Sequence, residues 1–267
     1  MEARRTLERG GVYLDGKRCK VASRTLQPGQ RVEAVLEEAG RVQEPETAPL
    51  VVLHEDEQLL AVDKPAGVPS QATLTGDVGT LPWLVGRHLG IPASAVATVH
   101  RLDRETSGVV VFGKTRGATR LLAQAFRDGE VHKEYVAVAA GLLAGEGRLD
   151  APLGPSRTRR GSFEVTPGGL PAITGYRPFA RLGELATGVR LFPETGHTHQ
   201  LRVHLAHLGH PILGDVRYGG PRQAGPLRAD RVLLHAEVLE VPHPSGGRLR
   251  LTAPFPADLA GALALLA

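Results

Sequence analysis

Apolar runs of strand length, separated by turn residues, dominate the pattern of this chain. The runs that predict strands lie near residues 50–54, 59–62, 109–113, 131–139, 173–181, 185–192, 231–241 and 248–252. Neighbouring runs are often joined by short turns, as residues 55–58 join the first two, and such pairs form hairpins. The pattern therefore predicts an α+β fold with a mixed, largely antiparallel central sheet and flanking helices.

Three segments follow the spacing of helices instead. In residues 115–128 the apolar positions fall on one face. A second helix is predicted by leucines at i, i+4 and i+7, which are Leu201, Leu205 and Leu208. Thr198 is its expected N-cap, and Gly209 and Pro211 are expected to end it. A short Ala- and Leu-rich helix should begin near residue 256.

The first part of the chain predicts a small separate unit. Residues 11–18 have the pattern strand, turn, strand, and residues 26–30 contain a second turn. Polar, Pro-containing residues 44–49 then resemble a linker. We expect one part over residues 1–43 and a main domain over residues 44–267.

Size and charge narrow the class of protein. A chain of 267 residues can bury one core with a small appendage. The pI of about 9.5 and the net charge of +4 suit a polyanionic partner without proving one. Arginines cluster in a Gly-, Pro- and Ser-rich stretch and again along the helix predicted over 115–128. These are Arg157, Arg159 and Arg160 in the first case, and Arg116, Arg120 and Arg127 in the second.

Several classes of protein are disfavoured by composition. One cysteine, Cys19, excludes an intramolecular disulfide and a multi-cysteine zinc site. No stretch approaches the roughly 20 apolar residues of a membrane span, and the first residues lack the apolar core of a signal peptide. We expect a cytoplasmic protein without a membrane partner.

The segment most informative about chemistry is HRLDRETSGVVVFGKT, residues 100–115. It places the carboxylate of Asp103 just before a buried strand, where neighbouring groups set its orientation and proton affinity. Taken alone, the segment fits a salt-bridged surface turn. Two further segments favour a site: a predicted strand with Tyr135 at its middle, and the His-rich helix with Arg202 in its first turns.

Together these segments resemble the RluA-type pseudouridine synthases, which isomerise uridines in ribosomal and transfer RNA. The matching motifs are VDKPAG from Val62, HRLDRETSG from His100, KEY from Lys133, GHTHQLRVHLAHLGHPILGD from Gly196 followed by Tyr218-Gly219, and LLHAEVLEVPHPSGGRLRLTAPFP from Leu233. They cover roughly residues 50–256. One departure is His197, where the family usually has arginine, so a phosphate contact there would be weaker or pH-dependent. Residues 4–34 are similar to the second half of an S4 RNA-binding domain, with its opening helices missing.

The resemblance implies catalytic roles for three residues. Asp103 would act as a nucleophile on the sugar or the base, or as a base at C2′, and the sequence leaves these routes open. Arg202 would keep Asp103 ionised and fix its direction. Tyr135 would stack on the uracil, and its hydroxyl is a candidate for helping remove the C5 proton. Because the same ring is released and recaptured, no metal or cofactor is expected.

A stacked base cannot reach such a site, so the nucleotide has to be flipped out. The resemblance implies that Arg101 fills the vacated space or holds a phosphate; the alternative is an ion pair with Glu105. Lys64 is a candidate for a contact with the RNA backbone. Further RNA contacts are expected at His197, Thr198, His199, Gln200, Arg157, Arg159 and Arg160. The expected partner is ribosomal or transfer RNA, and the sequence does not identify the target uridine. The oligomeric state expected by default is a monomer.

Three alternatives stay in view. The histidines of the predicted helix suggest a metal hydrolase, but HExxH and a cysteine pair are both absent. Asp103 and Glu105 suggest a retaining glycosidase, but Trp83 is the only tryptophan for stacking on sugars. A non-catalytic RNA-binding protein on the same scaffold is the third, and the presence of Asp103, Tyr135 and Arg202 together argues against it.

Overall fold

The computed structural model describes residues 2–36 and 49–266. The α-helices in these residues are α1 (Glu2–Arg9), α2 (Leu81–Leu89), α3 (Arg116–Asp128), α4 (Gln200–His207) and α5 (Ala257–Ala264). The strands are β1 (Val12–Leu14), β2 (Lys17–Cys19), β3 (Val32–Ala34), β4 (Val51–Glu55), β5 (Leu59–Lys64), β6 (Ser107–Gly113), β7 (His132–Ala140), β8 (Gly147–Asp150), β9 (Leu153–Pro155), β10 (Phe163–Val165), β11 (Ile173–Leu182), β12 (Ala186–Pro193), β13 (Gln223–Ala224), β14 (Leu227–Arg228), β15 (Leu234–Pro242) and β16 (Arg248–Thr252). Every strand and helix predicted from the apolar pattern is observed, so the α+β prediction is confirmed.

A nine-stranded sheet forms the centre of the fold, in the order β4-β5-β6-β15-β7-β12-β11-β8, with β16 paired to β15. All its pairs are antiparallel except β6 with β15. That parallel ladder is short and consists of His235 opposite Ser107 and Ala236 opposite Gly108. From Val238 onwards β15 pairs with β16 instead. The predicted sheet, mixed but largely antiparallel, is the observed one.

The position of β6 between two helices accounts for its unbroken apolar sequence. Val109 and Val111 lie in a core cluster with Leu122 of α3. Val110 and Phe112 point to the other face, into a cluster that contains residues of α2. Because β6 is covered by a helix on both faces, every position of the run is buried.

A third core cluster holds the other half of the sheet. It joins β7 and β12 to α4 and α5, through residues such as Val136, Leu191 and Leu259. Leu201 and Leu205 of α4 lie in this cluster, and Leu208 packs against it. The leucine face predicted for the His-rich helix is therefore the face that α4 buries, and α4 is fixed on the sheet through it.

The N-terminal unit contains the predicted hairpin, β1 with β2, and β3 pairs with the free side of β1. The short helix α1 precedes the hairpin and was not predicted from the sequence. The mostly charged sequence of α1 has little apolar periodicity to reveal it. Apart from Pro49, the predicted linker lies outside the described residues, and the division into two parts stays a prediction.

The N-terminal unit contacts the loop that leads from β5 to α2. Tyr13 donates from Oη to the Leu74 carbonyl at 2.9 Å, and Lys20 forms an ion pair with Asp77. The backbone carbonyl of Arg9 accepts from the Asp77 amide at 3.2 Å. These bonds hold the small sheet beside residues 73–77 of the main domain. Among the helices described, none is long and apolar enough to cross a membrane.

Candidate active site

The segments singled out in the sequence meet at one cleft of about 580 Å³. Its walls are residues 98–106 before β6, residues 126–135 from the end of α3 into β7, and residues 193–202 from the end of β12 into α4. Asp103, Tyr135 and Arg202 all line it. The structure thus brings the three predicted catalytic side chains together, although Asp103 and Arg202 are 99 positions apart in the chain.

Asp103 lies in a turn that is fixed on both sides. Before it, Leu102 is buried, and its carbonyl accepts from the Ser70 hydroxyl at 2.7 Å. After it, the amide of Thr106 donates to the Asp103 carbonyl at 3.1 Å. The side chain is 16% exposed at the cleft. A carboxylate in such a turn has one preferred direction and still reaches the cleft, which suits a catalytic group.

Arg202 is shared between two carboxylates. Its Nη1 donates to Asp103 Oδ2 at 3.1 Å, while Nε and Nη2 donate to the two oxygens of Asp215 at 2.7 and 2.8 Å. Burial of the guanidinium lowers its pKa, but the hydrogen bonds and charges of Asp215 and Asp103 outweigh this and raise it. Arg202 is therefore a permanent positive charge beside Asp103, in a position set by Asp215.

Tyr135 enters the cleft from the middle of β7. Lys133 lies two positions earlier, on the same face of the strand, and also lines the cleft. The tyrosine packs against two of the core clusters, the one that contains Val136 and the one that contains Val110. Burial, with a smaller contribution from the Asp103 carboxylate, raises the pKa of the Tyr135 phenol. At neutral pH the hydroxyl is thus protonated and is a hydrogen-bond donor.

His199 marks the start of α4 and contacts the site directly. Its φ of 60° lies in the left-handed region, which is uncommon for residues other than glycine. Its Nδ1 is 2.6 Å from the Tyr218 hydroxyl, and its Nε2 is 3.8 Å from Asp103 Oδ2. Burial lowers the pKa of His199, opposed by the Asp103 carboxylate. The N-cap position is occupied by His199 and not by Thr198, so the predicted cap was wrong.

Gln200 lines the cleft, but its polar atoms bond to the loop before α4 and to β11. Only 3% exposed, it accepts at Oε1 from the Thr195 hydroxyl and the His197 amide. Its Nε2 donates to the Ile173 carbonyl and the Thr174 hydroxyl. These four hydrogen bonds occupy both acceptor positions of the amide oxygen and both N–H donors. No polar group of the side chain is left for the predicted RNA contact.

Lys64, also predicted to contact RNA, lies inside the protein. The side chain is fully buried, and its ammonium donates to the carbonyls of Pro65, Val68 and Arg104 at 2.9, 2.9 and 3.1 Å. Burial lowers the pKa of Lys64 to about 7, opposed by the nearby Glu105 and Asp103 carboxylates. Because all three donors are occupied inside the protein, Lys64 ties the turn after β5 to the catalytic turn and is not free to contact RNA.

The other predicted RNA contacts lie at different distances from the cleft. His197 and Thr198 line it, and His197 Nε2 is 2.8 Å from the Pro171 carbonyl. Arg101 is exposed at its rim and donates to Gln71 at 2.9 Å, so the alternative pairing with Glu105 is not observed. Three exposed arginines of the loop before β10 lie outside the cleft lining, namely Arg157, Arg159 and Arg160.

Sequence reasoning missed three residues of the site. Asp215 and Tyr218 fix Arg202 and His199, and Lys133 lines the cleft with one long contact, 3.5 Å from Nζ to the Thr195 carbonyl. Burial lowers the pKa of Lys133. The motifs did contain these residues, because KEY begins with Lys133 and ILGD ends with Asp215 shortly before Tyr218. Their roles depend on side-chain partners that a linear pattern does not give.

The histidines of the His-rich segment are not gathered around a metal position. His204 is buried between the Thr174 hydroxyl and the Ala151 carbonyl, and His210 contacts the Ala140 carbonyl. Among the described residues, the group that offers metal-ligand spacing is His54, Asp56 and His243. His54 lies in β4, Asp56 in the turn after it, and His243 directly after β15. There both imidazoles contact one oxygen of Asp56 at 2.9 Å.

Comparison with known proteins points the same way as the geometry. The family model described as RNA pseudouridylate synthase matches residues 58–207. An uncharacterized RNA pseudouridine synthase of Bacillus subtilis, YhcT, is 40% identical over 220 residues, covering 80% of this chain and 72% of the relative. Ribosomal large subunit pseudouridine synthase D of Escherichia coli K12 is 35% identical over 269 residues, 93% and 80% of the two chains. The solved structure of human RNA pseudouridylate synthase domain containing 4 has a TM-score of 0.66 at 26% identity and covers 81% of this chain and 92% of its own.

Proposed function

Because the chain belongs to the RNA pseudouridylate synthase family, we propose that the cleft around Asp103 is where it isomerises uridine to pseudouridine in RNA. The reaction breaks the N1–C1′ bond, turns the uracil and forms the C5–C1′ bond. The C5 proton is lost, and N1 gains a proton. No atom is added or removed overall, so a positioned carboxylate and proton donors are the groups that the cleft has to supply.

The shared position of Arg202 is the observation that carries this assignment. Arg202 and His199 both approach the same oxygen of Asp103, Oδ2. Among the hydrogen bonds of the described residues, Oδ1 accepts none. Oδ1 is therefore the oxygen we assign to the substrate, whether it attacks C1′ or the base, or removes the C2′ proton. In all three routes Arg202 fixes the direction of the carboxylate through its charged hydrogen bond to Oδ2.

Tyr135 supplies an aromatic face beside Asp103. We assign its ring to stacking on the flipped uracil, a contact worth on the order of 1–3 kcal/mol per base. The raised pKa of its phenol makes the hydroxyl a proton donor at neutral pH. It therefore suits a hydrogen bond to a uracil oxygen or delivery of a proton, rather than removal of the C5 proton in its resting state.

Arg101 is the residue we assign to base flipping. It is exposed at the rim of the cleft, two positions before Asp103, and its hydrogen-bond partner among the described residues is the neutral Gln71. Extrusion of a nucleotide costs a few kcal/mol. We assign Arg101 to the space that the uridine leaves or to the neighbouring phosphate, because either contact offsets part of that cost.

Large-subunit ribosomal RNA is the substrate we favour over transfer RNA. Several relatives that this chain matches over more than nine-tenths of its length are named as large-subunit synthases, among them those of Escherichia coli and Xanthomonas campestris. We infer that the protein acts as a monomer in the cytoplasm, where ribosomal RNA is made.

The test is pseudouridine mapping of total RNA from cells with and without the gene, complemented by wild type, Asp103→Asn or Asp150→Asn. Asp150 is exposed and paired with Arg148, so its substitution is the matched control. We expect large-subunit positions to vanish on deletion and to return with wild type and Asp150→Asn, but not with Asp103→Asn. Changes confined to transfer RNA would overturn the substrate. Full rescue by Asp103→Asn would overturn the site, and no change on deletion would favour the non-catalytic alternative.

A further inference from the structure

Three arginines of α3 share one face of the helix. Arg116, Arg120 and Arg127 are separated by four and seven residues. At about 100° per residue they fall within about 40° of one another around the helix axis. All three side chains are exposed. We call these three residues the arginine stripe.

The stripe faces away from the core. The buried residues of α3 are Ala118, Leu122 and Ala125, which pack on the sheet. Among the described residues, no carboxylate forms an ion pair with an arginine of the stripe; Arg127 donates only to the neutral Gln124. Guanidinium groups without a carboxylate partner form a positively charged surface, which attracts a polyanion.

The stripe also begins at the active-site cleft. Helix α3 returns along β6 after the strand ends, so its last turn lies near the start of β6, where the catalytic turn is. Phe126, Arg127 and Gly129 line the cleft together with Asp103. From Arg127 the stripe leads away along the helix for about 16 Å, at 1.5 Å per residue. A strand of a nucleic-acid duplex carries about five phosphates over that length.

We infer that the arginine stripe binds the phosphate backbone of the RNA strand adjoining the uridine in the cleft. This inference rests on the proposed function, because it takes the cleft as the position of the target nucleotide. Arginine binds phosphate through paired N–H donors. The stripe carries no aromatic residue for base stacking, so its contacts position the strand without reading its sequence. It gives the enzyme a second contact region, separate from the Arg-rich loop before β10.

The test uses Arg116→Gln/Arg120→Gln and leaves Arg127 intact, because Arg127 also lines the cleft. Its matched control is Arg181→Gln/Arg222→Gln, two exposed arginines that do not line the cleft. The probe is a fluorescein-labelled, single-stranded RNA of mixed sequence, about 20 nucleotides long, which is enough because phosphate binding is independent of sequence. Binding is measured by anisotropy between about 50 and 200 mM KCl.

Loss of two phosphate contacts on a single strand lowers the slope of log affinity against log salt by about 1.4. The same relation predicts binding weaker by roughly 10-fold at about 200 mM and roughly 60-fold at about 50 mM KCl. The control pair should keep the slope and affinity of wild type. Arg116→Lys/Arg120→Lys retains the charges and should recover most of the slope, which separates the effect from misfolding.

A slope for Arg116→Gln/Arg120→Gln equal to that of the control overturns the inference, and the stripe would then suit an acidic protein partner instead. A slope that stays reduced in the lysine pair overturns it as well. These outcomes do not depend on Asp103 chemistry, since they measure binding alone. Failure of the proposed function would be seen in the mapping experiment, with Asp103→Asn active.

Discussion

The carboxylate of Asp215 accepts hydrogen bonds from both Nε and Nη2 of Arg202, so that Nη1 is the guanidinium nitrogen that meets Asp103. Asp215 is 1% exposed and Arg202 6%. A bidentate pair of this kind fixes the plane of the guanidinium as well as its position. The direction of the Asp103 carboxylate is thus set by a residue that does not itself line the cleft.

Asp215→Asn should impair both folding and activity. The amide cannot receive both N–H groups, and a buried charge that loses its partner costs about 3–5 kcal/mol. We expect a lower free energy of unfolding by about that amount, measured by denaturant titration, and a lower kcat. Asp103→Asn should abolish activity with a much smaller stability change, because Arg202 keeps Asp215. Equal stability losses in the two variants would contradict this division of roles.

Substitutions of Tyr135 should separate its ring from its hydroxyl. Tyr135→Phe keeps the stacking face, so the affinity for substrate RNA should change little, whereas kcat should fall if the hydroxyl donates a proton. Tyr135→Leu removes the ring, and a loss of about 1–3 kcal/mol corresponds to roughly 5- to 150-fold weaker binding. Steady-state kinetics on a defined RNA gives both quantities. If phenylalanine and leucine weaken binding equally, the stacking role is wrong.

His235 should make the fold sensitive to acid. It is fully buried beside the Ser107 hydroxyl and the Ala253 carbonyl, and burial lowers its pKa to about 4 from a usual 6.5. The unfolded chain therefore binds a proton between pH 6.5 and 4 that the folded chain does not. Its contribution is fully present above pH 6.5 and is lost as the pH falls through 4. The shift corresponds to roughly 3 kcal/mol.

Denaturant titrations at pH 7 and pH 4 measure this contribution. Wild type should lose about 3 kcal/mol more stability over that interval than His235→Gln, which has no proton to gain. Parallel losses in the two proteins would assign the acid sensitivity to other groups, such as His100, whose pKa burial lowers to about 3.

Gly108 should not tolerate a side chain. Its φ is 117°, and a Cβ there would lie 2.2 Å from the carbonyl oxygen of Ala236 on β15. The positive φ and the contact with the Ala236 carbonyl both belong to the backbone, which cannot move aside easily. Gly108→Ala should therefore lower the free energy of unfolding by about 3 kcal/mol or more. Gly261→Ala is the matched control, because Gly261 lies exposed in α5 with open space around it; it should stabilise by about 0.5–1 kcal/mol. Thermal denaturation of both variants checks the pair, and a neutral Gly108→Ala would contradict the close approach of β6 and β15.

Local pattern was enough to predict most elements of the fold. The leucine spacing in α4 and the unbroken run Val109–Phe112 gave the right element type, because burial of one face or of two leaves its period in the sequence. The order of the strands did not follow from the pattern. Pairing of β15 with both β6 and β7 joins segments more than 90 residues apart, and apolar runs do not specify a partner.

The site was predicted in part, and the errors share one cause. Asp103, Tyr135 and Arg202 were found through motifs, and the structure brings them together. Lys64 and Gln200 were interpreted as RNA contacts because polar residues near a catalytic motif are expected to face the substrate. Both are buried and bonded inside the protein. A sequence gives the donors and acceptors of a side chain but not the side to which it turns.

The central place of β15 in the sheet has a consequence for biosynthesis. Of the described strands only β16 follows it in the chain, yet it is the neighbour that β6 and β7 have in common. Until residues 234–242 have emerged, both strands present unpaired edges, and the carboxylate at the start of β6 lacks the scaffold that aligns it with Arg202. A nascent chain that does not yet reach residue 242 is therefore inactive and prone to aggregation. Truncation just before residue 234 should therefore be more harmful to this protein than the same lesion in a fold whose strands pair in the order of synthesis.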